Sequence, residues 1–72
     1  MARPAVNNFV RLLKDLPELG LTRGQIGAVK SVWPEPHRAC EVEFCDYGRA
    51  SLRALLLEDA VRVVHVTMRA DC

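Results

Sequence analysis

The stretch "GLTRGQIGAVKSV", residues 20–32, places Gly20, Gly24 and Gly27 close together and runs straight into apolar residues. Glycines so spaced serve either to cradle a phosphate or to bend the chain. A dinucleotide-binding turn needs a strand, then Gly-x-Gly-x-x-Gly, then a helix whose N-terminus faces the pyrophosphate. Here the first spacing is wrong, and Gly27 is followed by "AVKSVW", which reads as a strand. A P-loop would need Gly-Lys followed by Ser or Thr, and that is absent. The glycines therefore bend the chain. Gly20 and Gly24 allow turn dihedrals, and Gly27 leaves room for a close strand crossing. In "QIGAVKSVW" (25–33) the apolar residues keep no single parity. Ile26 and Ala28 share one face, Val29 and Trp33 the other, and Val32 returns to the first. That pattern predicts a strand buried on both sides, or one bent or bulged near Lys30, as a small β-barrel needs where one strand serves both of its sheets.

The flanking sequence fits the same architecture. "FVRLLK" (9–14) reads as the first strand, and "DLPELGLTRG" (15–24) as a loop whose Leu16, Leu19 and Leu21 fold back over a barrel end. "PEPHR" (34–38) is a second loop stiffened by two prolines. "ACEVEFC" (39–45) alternates cleanly, with Cys40, Val42 and Phe44 on one face and Glu41, Glu43 and Cys45 on the other. "DYG" (46–48) predicts a three-residue hairpin loop. It would pair Cys45 with Arg49, Phe44 with Ala50, Val42 with Leu52 and Cys40 with Ala54. On the outer face Glu41 then meets Arg53 and Glu43 meets Ser51. "ALLL" ends the fourth strand, "EDA" (58–60) makes a helical turn, and "VRVVHV" (61–66) is the fifth strand. A helical reading of "SLRALLLEDAVR" (51–62) competes, because Leu52, Leu55, Leu56 and Ala60 follow helical spacing; the hairpin register favours a strand. The expected organisation is a lead-in at 1–8, an all-β five-stranded barrel at 9–66 with a short helical turn before the last strand, and a tail at 67–72.

Composition limits function. At 72 residues the chain is one domain, with little structure to spare for an enclosed active site. Ten basic residues oppose nine acidic ones, giving a net charge of +1. That is not the overall basic excess of a nucleic-acid binder, though a local patch remains open. No apolar signal segment follows Met1, and no apolar run approaches a membrane span. The expectation is a cytoplasmic, bacterial-type protein whose Cys40, Cys45 and Cys72 stay as thiols.

Chemistry-bearing residues are sparse. His37, Cys40 and Cys45 suggest a metal, with His65 and Cys72 in reserve. Cys40 and Cys45 nevertheless lie on one strand at opposite parity, about 17 Å apart at ~3.4 Å per residue, and no tight ligand pair is present. No metal and no other cofactor is expected. Cys40 reads as a small core residue, Cys45 as an exposed thiol. Ser31 and Ser51 lack a base beside them, and Glu41 and Glu43 project to an open face unsuited to acid–base work. The chain is therefore not expected to be an enzyme or to take a small-molecule substrate. What remains is a set of aromatic and basic residues near the two loops: Trp33, His37, Arg38, Tyr47 and Arg49, residue types that anchor partners. For Trp33, closing the barrel and facing a partner both stay open.

As an ordered set, "VRLLKDLPELGLTRGQIGAVKSV", "CEVEFCDYGRA" and "ALLLEDAVRVV" resemble a bacterial family known as domain of unknown function 4926. The likeness covers about residues 9–64. It rests on Leu16, Pro17, Gly20, Leu21, Gly24, Gly27, Val29, Glu41, Val42, Glu43, Phe44, Asp46 and Gly48. Cys40 stands where the family often carries an aromatic residue. The resemblance implies a small SH3-like β-barrel and supplies no catalytic residues. "RGQIGAVKSV" is also similar to the KOW motif, a glycine-containing strand of SH3-like barrels in ribosomal proteins and transcription factors. Fold does not confer function. The expected function is a non-enzymatic interaction module that docks a protein partner or self-associates. The resemblance adds one specific form, the neutralising partner of a neighbouring toxin. The alternative is a KOW-like RNA- or DNA-binding module. No membrane role is expected.

Overall fold

The computed structural model describes residues 3–45 and 51–65. It is all-β apart from two short 3-10 turns. The strands are β1 (Phe9–Leu12), β2 (Ile26–Trp33), β3 (Ala39–Phe44), β4 (Leu52–Leu57) and β5 (Val61–Val64). They form one antiparallel sheet in the order β4-β3-β2-β1-β5. β4 and β5, the two edges, are not hydrogen-bonded to each other, so the sheet is open. Its two ends nevertheless share a core: Ala54 and Leu56 of β4 belong to the same buried cluster as Val10 and Leu12 of β1 and Val61 of β5. The sheet wraps around that core, closing by side-chain packing rather than by a fifth ladder.

The glycine-rich stretch behaves as its spacing predicts. Gly20 (φ 71°) and Gly24 (φ 95°) take left-handed turn conformations. Gly27 does not; it is a packing glycine. A Cβ there would come within 2.9 Å of the Glu43 carbonyl oxygen and of Phe44 Cδ1, so β2 and β3 approach as they do only because position 27 has no side chain. Further along, Val29 pairs with Val42 but Ser31 pairs with Glu41, leaving Lys30 as the extra residue of a bulge. The bulge resets the parity, which explains the mixed pattern of apolar residues in β2.

Between β1 and β2 the 3-10 turn Pro17–Leu19 ends at left-handed Gly20. Leu16 and Leu21 form an isolated bridge and fold back onto the core, with Leu21 buried and Leu16 packed against it. Leu19, expected to join them, is exposed, because it sits on the outer side of the turn. β1 stops at Leu12 rather than at Lys14, because the chain turns away toward that loop; Leu13 is bonded instead to Ala60 through its N–H. "EDA" forms the expected helical turn, as a 3-10 turn at Glu58–Ala60 leading into β5.

The β3–β4 hairpin departs from expectation in register. Phe44 pairs with Leu52, Val42 with Ala54 and Cys40 with Leu56, two residues away from the predicted pairing. The "DYG" turn itself lies outside the described residues. A two-residue slip keeps every side chain on its own face, so alternation cannot detect it. Core filling decides between the two. The observed register sets Leu56 opposite Cys40, where it is buried. The expected one would have set Leu56 opposite Arg38, beyond the start of β3.

Candidate interaction surface

Inward, β3 and β4 contribute Cys40, Val42, Phe44, Ala54 and Leu56 to the core. Outward, directly opposed residues share a face and form rungs. One rung is Ala28–Glu43–Arg53, the next Ser31–Glu41–Leu55, the last Trp33–Ala39–Leu57. The first two hold the charges. Arg53 Nε donates to Glu43 Oε2 at 3.3 Å, and Ser51 Oγ donates to the same oxygen at 3.1 Å. Lys30 Nζ lies 3.6 Å from Glu43 Oε1, and Arg53 Nη1 3.7 Å from Glu41 Oε1. Ser31 Oγ donates to Glu41 Oε1 at 3.3 Å. The contacts expected between Glu41 and Arg53 and between Glu43 and Ser51 therefore form, as diagonal neighbours. The hydrogen bond from Arg53, then that from Ser51, holds the Glu43 carboxyl below the usual carboxylate range.

The far end of the same face is apolar. Trp33 is 55% exposed, Leu55 66% and Leu57 52%. Val32, beside Trp33, is also exposed. This settles Trp33: it lies on the surface and does not close the core. The open face to which Glu41 and Glu43 project is not charged throughout, because exposed Leu55 and Leu57 share it. Their signal was in the sequence. A strand reading of "ALLL" must turn alternate leucines outward, and with Leu56 inside, Leu55 and Leu57 have to be exposed.

His37 and Arg38 of the loop after Trp33 are exposed and line a groove with Arg3, Leu57, Glu58 and Arg62. Arg3 is spent on Glu58, with Nε and Nη2 each 3.3 Å from a carboxylate oxygen. Leu57 joins this groove to the apolar end of the sheet. The structure thus brings Trp33, His37 and Arg38 to one end of the molecule. Tyr47 and Arg49 lie outside the described residues.

The cysteines differ from one another. Cys40 is a free, fully buried thiol; desolvation, and secondarily the nearby Glu58 charge, pushes its pKa up. Cys45, expected to be an exposed thiol, is half-buried and disulfide-bonded. Among the described residues no three His, Cys, Asp or Glu side chains gather as a metal site, and no helix is long and apolar enough to cross a membrane.

A family model described as "Domain of unknown function (DUF4926)" matches residues 6–63. No curated protein and no solved structure matches the chain.

Proposed function

The chain belongs to the DUF4926 family, and we propose that it is a non-enzymatic module that docks a protein partner through the apolar end of its outer sheet face. The observation that carries this reading is the clustering of Trp33, Leu55 and Leu57, each more than half exposed, on neighbouring rungs of one face. Isolated surface leucines need no explanation, but a contiguous apolar patch with a polar rim marks an interaction site. The rim is supplied by Glu41 and Arg53 on one side and by His37 and Arg38 on the other. A toxin produced beside the protein is the specific partner that the family resemblance suggests.

Nucleic-acid binding has weaker support. The groove carries Arg38 and Arg62, but Glu58 and Asp59 line it too, and Arg3 is already neutralised. The test is to place a photo-crosslinking amino acid at Leu55 in the cell of origin, with the same residue at Glu18 as control. Adducts to protein at position 55 and not at 18 support the docking reading. Equal adducts at both positions, none at either, or adducts to nucleic acid that vanish steeply with salt overturn it.

A further inference from the structure

The docking reading leaves the occupant open, and the edge of β4, which no described strand pairs, specifies one. Glu58 continues the β3–β4 register past Leu57, and its N–H donates to the Arg38 carbonyl at 2.9 Å. Opposed residues of an antiparallel ladder alternate between bonded and non-bonded pairs. The bonded rungs are therefore those of Glu58, Leu56, Ala54 and Leu52. The intervening residues, Arg53, Leu55 and Leu57, point both N–H and C=O away from β3. No other described strand pairs with that edge. The same three residues carry the side chains of the outer face. Backbone hydrogen-bonding capacity and exposed apolar surface thus coincide on one strand edge. Apart from Arg53, whose charge Glu43 and Glu41 engage, "LRALLL" (52–57) carries none of the usual guards of an edge strand: no proline, no lysine and no bulge.

We propose that a second copy of the chain occupies this edge, pairing β4 with β4 antiparallel about a two-fold axis through Leu55. This rests on the docking reading above. An isologous contact needs a surface complementary to itself. Axes at Ala54 or Leu56 would set Leu57 against the second copy's Ser51 or Arg53 against its Asp59, both outside β4, and the register with Leu55 on the axis is the one that pairs all three edge residues within the strand. With Leu55 on the axis, Leu55 opposes the second copy's Leu55, and Arg53 opposes the second copy's Leu57 in both directions. Each of these pairs exchanges two backbone hydrogen bonds, so every free edge group is used. An axis at Arg53 would oppose two like charges. An axis at Leu57 would set Leu55 against the second copy's Asp59, which lies outside the strand. In the favoured register the two Arg53 residues stand about 14 Å apart at ~3.4 Å per residue, beyond the ~8 Å screening length of physiological salt. Each guanidinium already has Glu43 and Glu41 as partners, and its aliphatic stem is left to cover the opposing Leu57.

Sedimentation equilibrium of the full chain tests this. The wild-type chain is expected at twice its 8.1 kDa mass. Leu55→Lys and Leu55→Glu each place like charges on the axis and are expected to weaken association at least ~10-fold, with unchanged circular dichroism. Mixed one to one, the two variants are expected to regain the dimer mass, because the axis then opposes lysine to glutamate. Leu19→Lys, on the β1–β2 loop, is expected to leave the mass unchanged. A wild-type monomer at the highest soluble concentration, a dimer that survives Leu55→Lys, or a mixture that stays monomeric overturns the proposal. A monomer that still forms position-55 crosslinks to another protein overturns only self-pairing and leaves the docking reading standing; a monomer without crosslinks overturns both.

Discussion

β3 and β4 are paired rung for rung, and both turn alternate residues into the same core. Their outward residues differ. On β3 these are Glu41 and Glu43, both tied into hydrogen bonds or ion pairs with neighbours. On β4 they are Arg53, Leu55 and Leu57, all three exposed. A central strand has its backbone satisfied on both sides, so charges facing outward leave nothing unmet. An edge strand with outward leucines leaves two things unmet at once, a row of backbone groups and an apolar surface. The comparison teaches that alternation alone assigns the core, whereas interaction potential depends on where in the sheet the outward residues lie.

The strongest way to break this comparison is on the inner side. Phe44→Ala removes the largest inward side chain of β3 and is expected to cost about 3–5 kcal/mol. That is comparable to the whole stability of so small a domain. A cooperative melt barely displaced by this change would contradict the core assignment. Gly27→Ala probes the same face by overfilling it. The added methyl meets the Glu43 backbone and the Phe44 ring, and about 1–3 kcal/mol of destabilisation is expected in denaturant titration. Gly20 has open space around its Cβ position, so Gly20→Ala should suffer only from its left-handed backbone, about 1–2 kcal/mol. Equal packing defects in the two alanine variants, read from methyl-group exchange, would remove the distinction between them.

On the outer side the same chemistry should cost little. Leu57→Ser, measured at concentrations where the chain is monomeric, is expected to change stability by no more than about 0.5 kcal/mol. A loss as large as that of Phe44→Ala would show that Leu57 is part of the core. The Cys40 thiol should resist thiol reagents until the chain unfolds, since it is buried and its pKa is raised. The sign follows from linkage. A raised folded pKa gives stability that is complete below the unfolded thiol value and is lost as pH rises through the folded one. Cys40→Ala should therefore flatten the alkaline limb of the stability curve, as followed by melts across alkaline pH.

The smallest effect concerns Glu43. Its pKa is lowered by Arg53 and Ser51, so its contribution is present above the ordinary carboxylate pKa and fades as pH falls through the lower folded value. Glu43→Gln should remove that acid dependence, with little change at neutral pH. An unchanged acid limb in paired melts would mean that the outer charges of β3 contribute no pH-dependent stability.

Much of this molecule is determined by the sequence itself, and the reason is local. Gly20 and Gly24 adopt backbone that other residues resist, Gly27 admits a close strand, and the strict alternation of "ACEVEF" can bury only one face. Those constraints act within a few residues, so periodicity and turn chemistry expose them. The bulge at Lys30 was legible for the same reason, since a broken parity has few other causes. Tertiary structure decided what periodicity leaves degenerate. The two-residue slip of β4 preserves every face, and only the fit of Leu56 opposite Cys40 selects the register. Trp33 shares sequence parity with buried Val29, and the bulge at Lys30, fixed by the pairing of β2 with β3, turns it to the outer face. Among the described residues the edge beside Leu55 is unpaired because the sheet closes around its core by packing and does not bond β4 to β5, an outcome set by all five strands together.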